Sequence, residues 1–215
     1  MQLLCPKGEY KLIVVARKTT ESKIRVSIDF EKLAEDYRKK IKTPIMFLNH
    51  MIEHIAYRAG FTIELEMELA EIYLSHVVCE DLGQTMGRAI AEYVKSTDVI
   101  GYGDAIGMID EALAVVAIGF EGRSRFVRTY DVPVPSVIEG MDKDDLEAFL
   151  DGFVQGANCT LHVLLRSGEN GHHIFESIFR ALGRTLANAL EVNESRRKGL
   201  TAGVAREIIW EVEND

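Results

Sequence analysis

The chain has no run of 18 apolar residues, so no segment is long and apolar enough to cross a bilayer as a helix. Its first residues, MQLLCPKGEY, lack the apolar stretch of a secretory signal, and a cytoplasmic protein is expected. Three cysteines, Cys5, Cys79 and Cys159, have no CxxC spacing and leave an odd one in any pairing. They read as reduced thiols, which excludes a disulfide framework. Basic residues are in the minority: 25 Lys and Arg stand against 34 Asp and Glu, for a net charge of −9. That balance argues against nonspecific binding to nucleic acid or to an anionic membrane. Only four prolines occur, and two of them fall in VPVPSVIEGMDKDD, which reads as a loop. What the chain does have is apolar material, 47% of 215 residues, enough core for one large domain or two small ones.

It also repeats itself. HVVCEDLGQTMGRAIA from His76 lies over HHIFESIFRALGRTLA from His172. His76 then matches His172, Glu80 matches Glu176, Gly87 matches Gly183 and Arg88 matches Arg184, all at an offset of 96. ESKIRVSIDFE from Glu21 echoes EALAVVAIGFE from Glu111 at an offset of 90, and FLNHMI from Phe47 echoes FLDGFV from Phe149. Three echoes in one order point to a tandem duplication of a unit of roughly 95 residues.

Each unit reads as β-β-α-β-α. YKLIVVAR and KIRVSIDF flank KTTES as a hairpin, and IMFLNHMIEHIAYRA has helical apolar spacing. FTIELEMELA alternates, with Phe61, Ile63, Leu65, Met67 and Leu69 on one face, as a half-buried strand does. A helix follows from His76. The second half gives strands LAVVAIGF and SRFVRTYDV, a helix around DDLEAFLDGFVQGA, the strand CTLHVLL and a closing helix from His172. The expected boundaries are 8–97 and 98–190 for the halves, joined near STDVIGYGDAIG, with a separate tail at 191–215. Such a pattern makes an α+β protein of two sheets, each with helices on one face.

The candidate chemistry lies on the two repeated helices. Residues four apart share a helix face, so His76 with Glu80 and His172 with Glu176 each form a pair suited to a divalent first-row ion. His173 lies about 100° further around the helix and is expected to serve a different ion from His172. A bland reading stands beside each: His76–Glu80 as a surface ion pair, His162 in TLHVLL as a core histidine, Glu21 as a solvated turn acid, Asp110 and Glu111 as strand-flanking residues. Repetition of the His-x3-Glu pair favours a metal site with a carboxylate nearby for proton transfer.

These segments resemble the imidazoleglycerol-phosphate dehydratases, lyases of histidine biosynthesis, over Arg17 to about Ala189. RKTTES, FLNHMI, MIDEAL, TLH and GENGHHIFESIFR are similar to five family segments, and HVVCED partly matches a sixth. The resemblance implies an internally duplicated fold of the ribosomal protein S5 domain 2 type. It implies two manganese ions that hold the substrate imidazole, with His50, His76, Glu80, His162, His172, His173 and Glu176 as ligands. Glu21 would be the acid/base, with Asp110 and Glu111 also in the catalytic set, and Arg123 and Arg180 would hold the phosphate of a phosphorylated imidazole substrate. A homo-oligomer is implied, in its fullest form a 24-subunit shell with sites between subunits.

The chain departs from the family pattern at several points. Val77 stands where the family has a second histidine, and His54, one turn after His50, is positioned to substitute. Gly101 replaces an arginine, and RRKGLTAGVA does not match the family's C-terminal phosphate loop. Arg166, Arg196, Arg197 and Lys198 are the basic residues available in compensation. These departures leave two alternatives to a dehydratase: a metal-dependent lyase on another substrate, or a non-catalytic metal-binding assembly protein.

Overall fold

The computed structural model describes residues 11–71, 74–193 and 195. Leu12–Lys18 (β1) and Ser22–Asp29 (β2) form the first hairpin, followed by the short helix Tyr37–Lys40 (α1), Met46–Ala59 (α2), Thr62–Leu69 (β3) and Ser75–Ser96 (α3). The second half runs Tyr102–Ile109 (β4), Ala112–Gly119 (β5), Arg125–Tyr130 (β6), the two-residue strands Val137–Ile138 (β7) and Met141–Asp142 (β8), Lys143–Ala157 (α4), Thr160–Ser167 (β9) and Gly171–Ala189 (α5). One antiparallel sheet has the order β1-β2-β3; the other has the order β4-β5-β9-β6, with β6 parallel to β9. Helix α3 packs on β1 and β2, and α5 on β4 and β5. The two helix layers meet as α3 against α4 and α2 against α5.

Alternation builds both sheets. Ile24, Val26 and Ile28 of β2 and Ile63 of β3 are fully buried under the helices. On the other face Lys23 pairs with Glu68 and Arg25 with Glu66, so the first sheet presents charge to solvent. The second sheet differs. Its outer face carries Tyr102, Ile106 and Met108, each at least 60% exposed, in register with Gly119, Val115 and Leu113 of β5.

The structure corrects the sequence reading of the second half in two places. Expected as the linker, the segment from Tyr102 is instead strand β4, the hairpin partner of β5; SRFVRTYDV supplies the additional strand β6. The glycines of this stretch are there for packing. A Cβ on Gly103 would lie 2.5 Å from the Thr185 carbonyl oxygen, and one on Gly107 would lie 2.0 Å from that of Ser177, so α5 rests directly on this strand. The third echo also slips by one turn. Helices α2 and α4 end in left-handed caps at Gly60 and Asn158, and β3 and β9 follow in step, which fixes their offset at 98 rather than 102. Residues four apart share a helix face, so a one-turn slip preserves the apolar pattern and deceives the eye.

Helix crossings in the two halves are equivalent. A Cβ on Gly87 would meet the Phe153 carbonyl oxygen at 2.1 Å, and one on Gly183 would meet that of Ile55 at 2.8 Å. These contacts are backbone, so side chains cannot relax to admit a larger residue. Gly107→Val is expected to cost about 3 kcal/mol or more by displacing α5, whereas Gly119→Ala, with nothing within 4 Å of the added carbon, changes stability by less than about 0.5 kcal/mol. Denaturant unfolding of both variants, compared with the parent, checks the contrast.

Candidate functional site

The strongest concentration of chemistry lies between α2 and α5. Glu176 is 4% exposed, yet four cationic or ligand-type side chains converge on its carboxylate. His172 Nε2 is 3.2 Å from Oε2, His50 Nε2 is 3.5 Å from Oε2, His54 Nε2 is 3.1 Å from Oε1, and Arg180 forms an ion pair with Oε1. Helical spacing explains the convergence. His50 and His54 are four apart on α2, His172 and Glu176 are four apart on α5, and the two helices cross there. His50, His54 and Glu176 offer ligand atoms all within 4.8 Å of one another. Burial alone would push the Glu176 carboxyl up, but His54, Arg180, His50 and His172 bring it below the ordinary carboxylate range. Burial drives His54 the other way, down to about 4, further than Glu176 raises it. A buried carboxylate beside several imidazole nitrogens is a donor set that suits a divalent ion.

A second cluster stands at the start of α5. His173 Nδ1 is 2.8 Å from Glu111 Oε2, and Nε2 is 3.8 Å from Asp110 Oδ2. Glu111 Oε1 accepts the backbone N–H groups of Asn170, at 2.9 Å, and Glu169, at 3.1 Å. The Asn170 N–H, the His173 ring and the Glu169 N–H together hold the Glu111 carboxyl down at about 2. Glu111 raises His173 in return. Asp110 sits at φ 44°, in the left-handed turn that joins β4 to β5. His172 and His173 thus diverge as helical geometry requires: their ring planes are 84° apart and they serve different carboxylates.

The first half is more open. His76 Nε2 is 3.9 Å from Glu80 Oε2 and Nδ1 is 3.5 Å from Asp145 Oδ1, at the rim of a cavity of about 390 Å³ shared with Arg128, Glu147 and Asp151. Glu21 lies in the β1–β2 turn, where Thr19 Oγ1 accepts the backbone N–H groups of Glu21 and Ser22. Ser22 donates to the buried Asp81 at 2.5 Å, and Arg17 meets the same carboxylate at 2.6 Å, which ties the turn to α3. The Glu21 carboxylate is exposed, with no ion pair or hydrogen bond among the described residues. His162 is exposed on the outer face of the second sheet, so it is not a core histidine. There it lines a cavity of about 330 Å³ with Arg123, Tyr102 and Thr160.

Similarity to known proteins decides the family. The family model for imidazoleglycerol-phosphate dehydratase matches residues 43–186. This chain belongs to the imidazoleglycerol-phosphate dehydratase family. Its similarity to the enzyme of Paraburkholderia phytofirmans is 35% identity over 86% of this chain and 93% of that one. To the enzyme of Desulforudis audaxviator it is 34% over 88% and 95%. The solved dehydratase of Pyrococcus furiosus is 31% identical with a TM-score of 0.71, covering 83% of this chain and 94% of that one. That of Staphylococcus aureus is 27% identical with a TM-score of 0.72, covering 85% and 99%. The family is one of carbon–oxygen lyases.

Within one dehydratase chain, the expected ligands divide into separate groups. His50, His172 and Glu176 come together. His173 joins Glu111 instead, His76 and Glu80 stay on α3, and His162 lies on the outer sheet face. Arg180 is engaged by Glu176 and by the Met108 carbonyl oxygen, at 2.9 Å, and Arg123 pairs with Glu121. Arg166 pairs with Asp131, while Arg196, Arg197 and Lys198 lie outside the described residues. Sequence reasoning missed Asp81, Asp145 and Glu139. Glu139 holds His172 Nδ1 at 3.2 Å from a left-handed turn, φ 51°, that no spacing rule reveals.

The His173–Glu111 pair gives a pH prediction. Glu111 is depressed and His173 raised, so the charged pair persists from about pH 2 upward and is lost as pH rises through the raised His173 value. In metal-free protein, histidine NMR signals should show His173 titrating above the ordinary 6.5, and Glu111→Gln should return it toward that value. A titration unchanged by the substitution contradicts the pairing.

Proposed function

We propose that this chain removes the elements of water from imidazole glycerol phosphate to give imidazole acetol phosphate, in the cytoplasmic synthesis of histidine. The observation that carries the reading is the α2–α5 cluster: three imidazoles around one buried carboxylate, in a chain of the dehydratase family. His50, His172 and Glu176 would hold one divalent ion, manganese in our reading; His76, Glu80, His162 and His173 would hold a second. Bound ions supply Lewis acidity to the nitrogens of the substrate imidazole. The protein's own residues do the rest. Glu21 takes the substrate C–H proton, a role for which an exposed carboxylate on an anchored turn is suited. The hydroxyl departs as water with the proton that Glu21 gives back, and the remaining enol ketonises by moving its O–H proton to carbon.

The difference between the two hairpin acids supports this division of labour. Glu21 and Glu111 occupy equivalent turns, and His173 corresponds to Val77 on α3. Glu111 is therefore held by an imidazole, and Glu21 has valine at that position. Glu111 and Asp110 then act by holding His173 and the start of α5 in place. Arg123 would bind the phosphate from the cavity it shares with His162.

Because His162 lies on the outer sheet face, with Arg123 of the β5–β6 loop lining the same cavity, away from α2 and α5, a complete site is assembled from more than one copy of the chain. The apolar outer face formed by Tyr102, Ile106 and Met108 supports a homo-oligomer, in its fullest form a 24-subunit shell.

Product formation from imidazole glycerol phosphate tests the activity. Glu21→Gln is expected to lower kcat about 100- to 10,000-fold with metal content unchanged. Full activity in that variant contradicts the acid/base role.

A further inference from the structure

We propose that His54 is a direct ligand of the ion held between α2 and α5, so that α2 supplies two imidazoles to this set. The proposal rests on the reading of that cluster as a metal site, and it adds a ligand one turn beyond His50. His50 Nε2 and His54 Nε2 stand 3.4 Å apart, and both face the carboxylate of Glu176. Bonds of about 2.1 Å separate adjacent ligand atoms by about 3.0 Å around an octahedral ion and about 3.4 Å around a tetrahedral one, close to the spacings of these nitrogens and carboxylate oxygens. A hydrogen-bonding role alone would need only one N–H aimed at Glu176. Here two ring nitrogens are brought edge to edge on one carboxylate, their rings 71° apart. His54 is also the more enclosed of the two, with 16% of its side chain exposed against 39% for His50.

The other half of the molecule provides the comparison. With an offset of 98 for α2 and 96 for α3, His50 and His54 correspond to Ala148 and Gly152, facing His76 and Glu80. A Cβ on Gly152 would lie 2.4 Å from the Glu80 carbonyl oxygen, so that crossing is closed where the α2–α5 crossing holds two rings. The donor pair on α2 is a feature of one half only. Packing of the duplicated crossing does not require imidazoles there, since the equivalent crossing forms with alanine and glycine.

The test uses the full chain, stripped of metal and then titrated with manganese(II) alone. Calorimetry and elemental analysis of the gel-filtered protein are run on the parent, His54→Gln and His54→Leu. Glutamine keeps a hydrogen-bond donor for Glu176 but is a poor metal ligand. The proposal expects both variants to lose one tightly held ion per chain, with Kd raised about 100-fold or more. Thermal midpoints of the metal-free proteins report folding; if His54→Leu fails to fold, His54→Gln carries the result. A His54→Gln protein that binds manganese within about threefold of the parent, at the same stoichiometry, overturns the proposal and leaves His54 a hydrogen-bond partner of Glu176. Turnover by the parent is measured separately. An inactive parent whose manganese is lost in both variants keeps the ligand and removes the dehydratase reading. An active parent with normal manganese binding in His54→Gln does the reverse.

Discussion

A buried carboxylate surrounded by imidazoles is the interaction on which the rest depends. Glu176 is nearly inaccessible, and an unpaired charge at such depth would be strongly destabilising. His50, His54, His172 and Arg180 all approach it, and they come from two helices distant in sequence. Holding those helices at the right separation requires Gly183 against the backbone of Ile55 on one side. On the other, it requires Gly103 and Gly107 of β4 beneath α5. The site and the packing are therefore one problem. Anything larger than glycine at those points moves the helix that carries His172, His173 and Glu176.

The two halves share a frame but differ at equivalent positions. Both helix crossings are built alike, with Gly87 and Gly183 at equivalent contacts. The α3–α4 crossing is filled with Gly83, Gly87, Gly152 and Gly156, whereas the α2–α5 crossing admits two histidines. In the same way, Glu111 is held by His173 and two backbone N–H groups, while Glu21 is left exposed on a turn braced by Thr19, Ser22 and Asp81. One carboxylate is tied up by its hydrogen bonds; the other is left open to solvent.

Much of this was legible in the sequence. Strict alternation in FTIELEMELA and the i, i+4 spacing of His172 and Glu176 are periodic signals, and both led to correct local structure. The repeated His-x3-Glu segment located the helices. Strand β4 escaped because its glycines, needed for contact with α5, resemble those of a linker. The exact partner of α2 escaped because a one-turn slip leaves a helix's apolar pattern intact. Asp81, Asp145 and Glu139 carry no local signature; each becomes significant only through a partner brought to it by the fold, at Ser22, His76 and His172 respectively. Family resemblance supplied the ligand names, but not their division among separate surfaces of one chain.

The most direct measurement is anomalous diffraction at the manganese absorption edge from crystals of the metal-loaded, assembled protein. The account predicts a peak between α2 and α5, bonded to His50, His54, His172 and Glu176 of one chain. It also predicts a second peak bringing His76 and Glu80 of one copy to His162 or His173 of another. Manganese at neither position, or an α2–α5 ion that leaves His54 unbound, would contradict it.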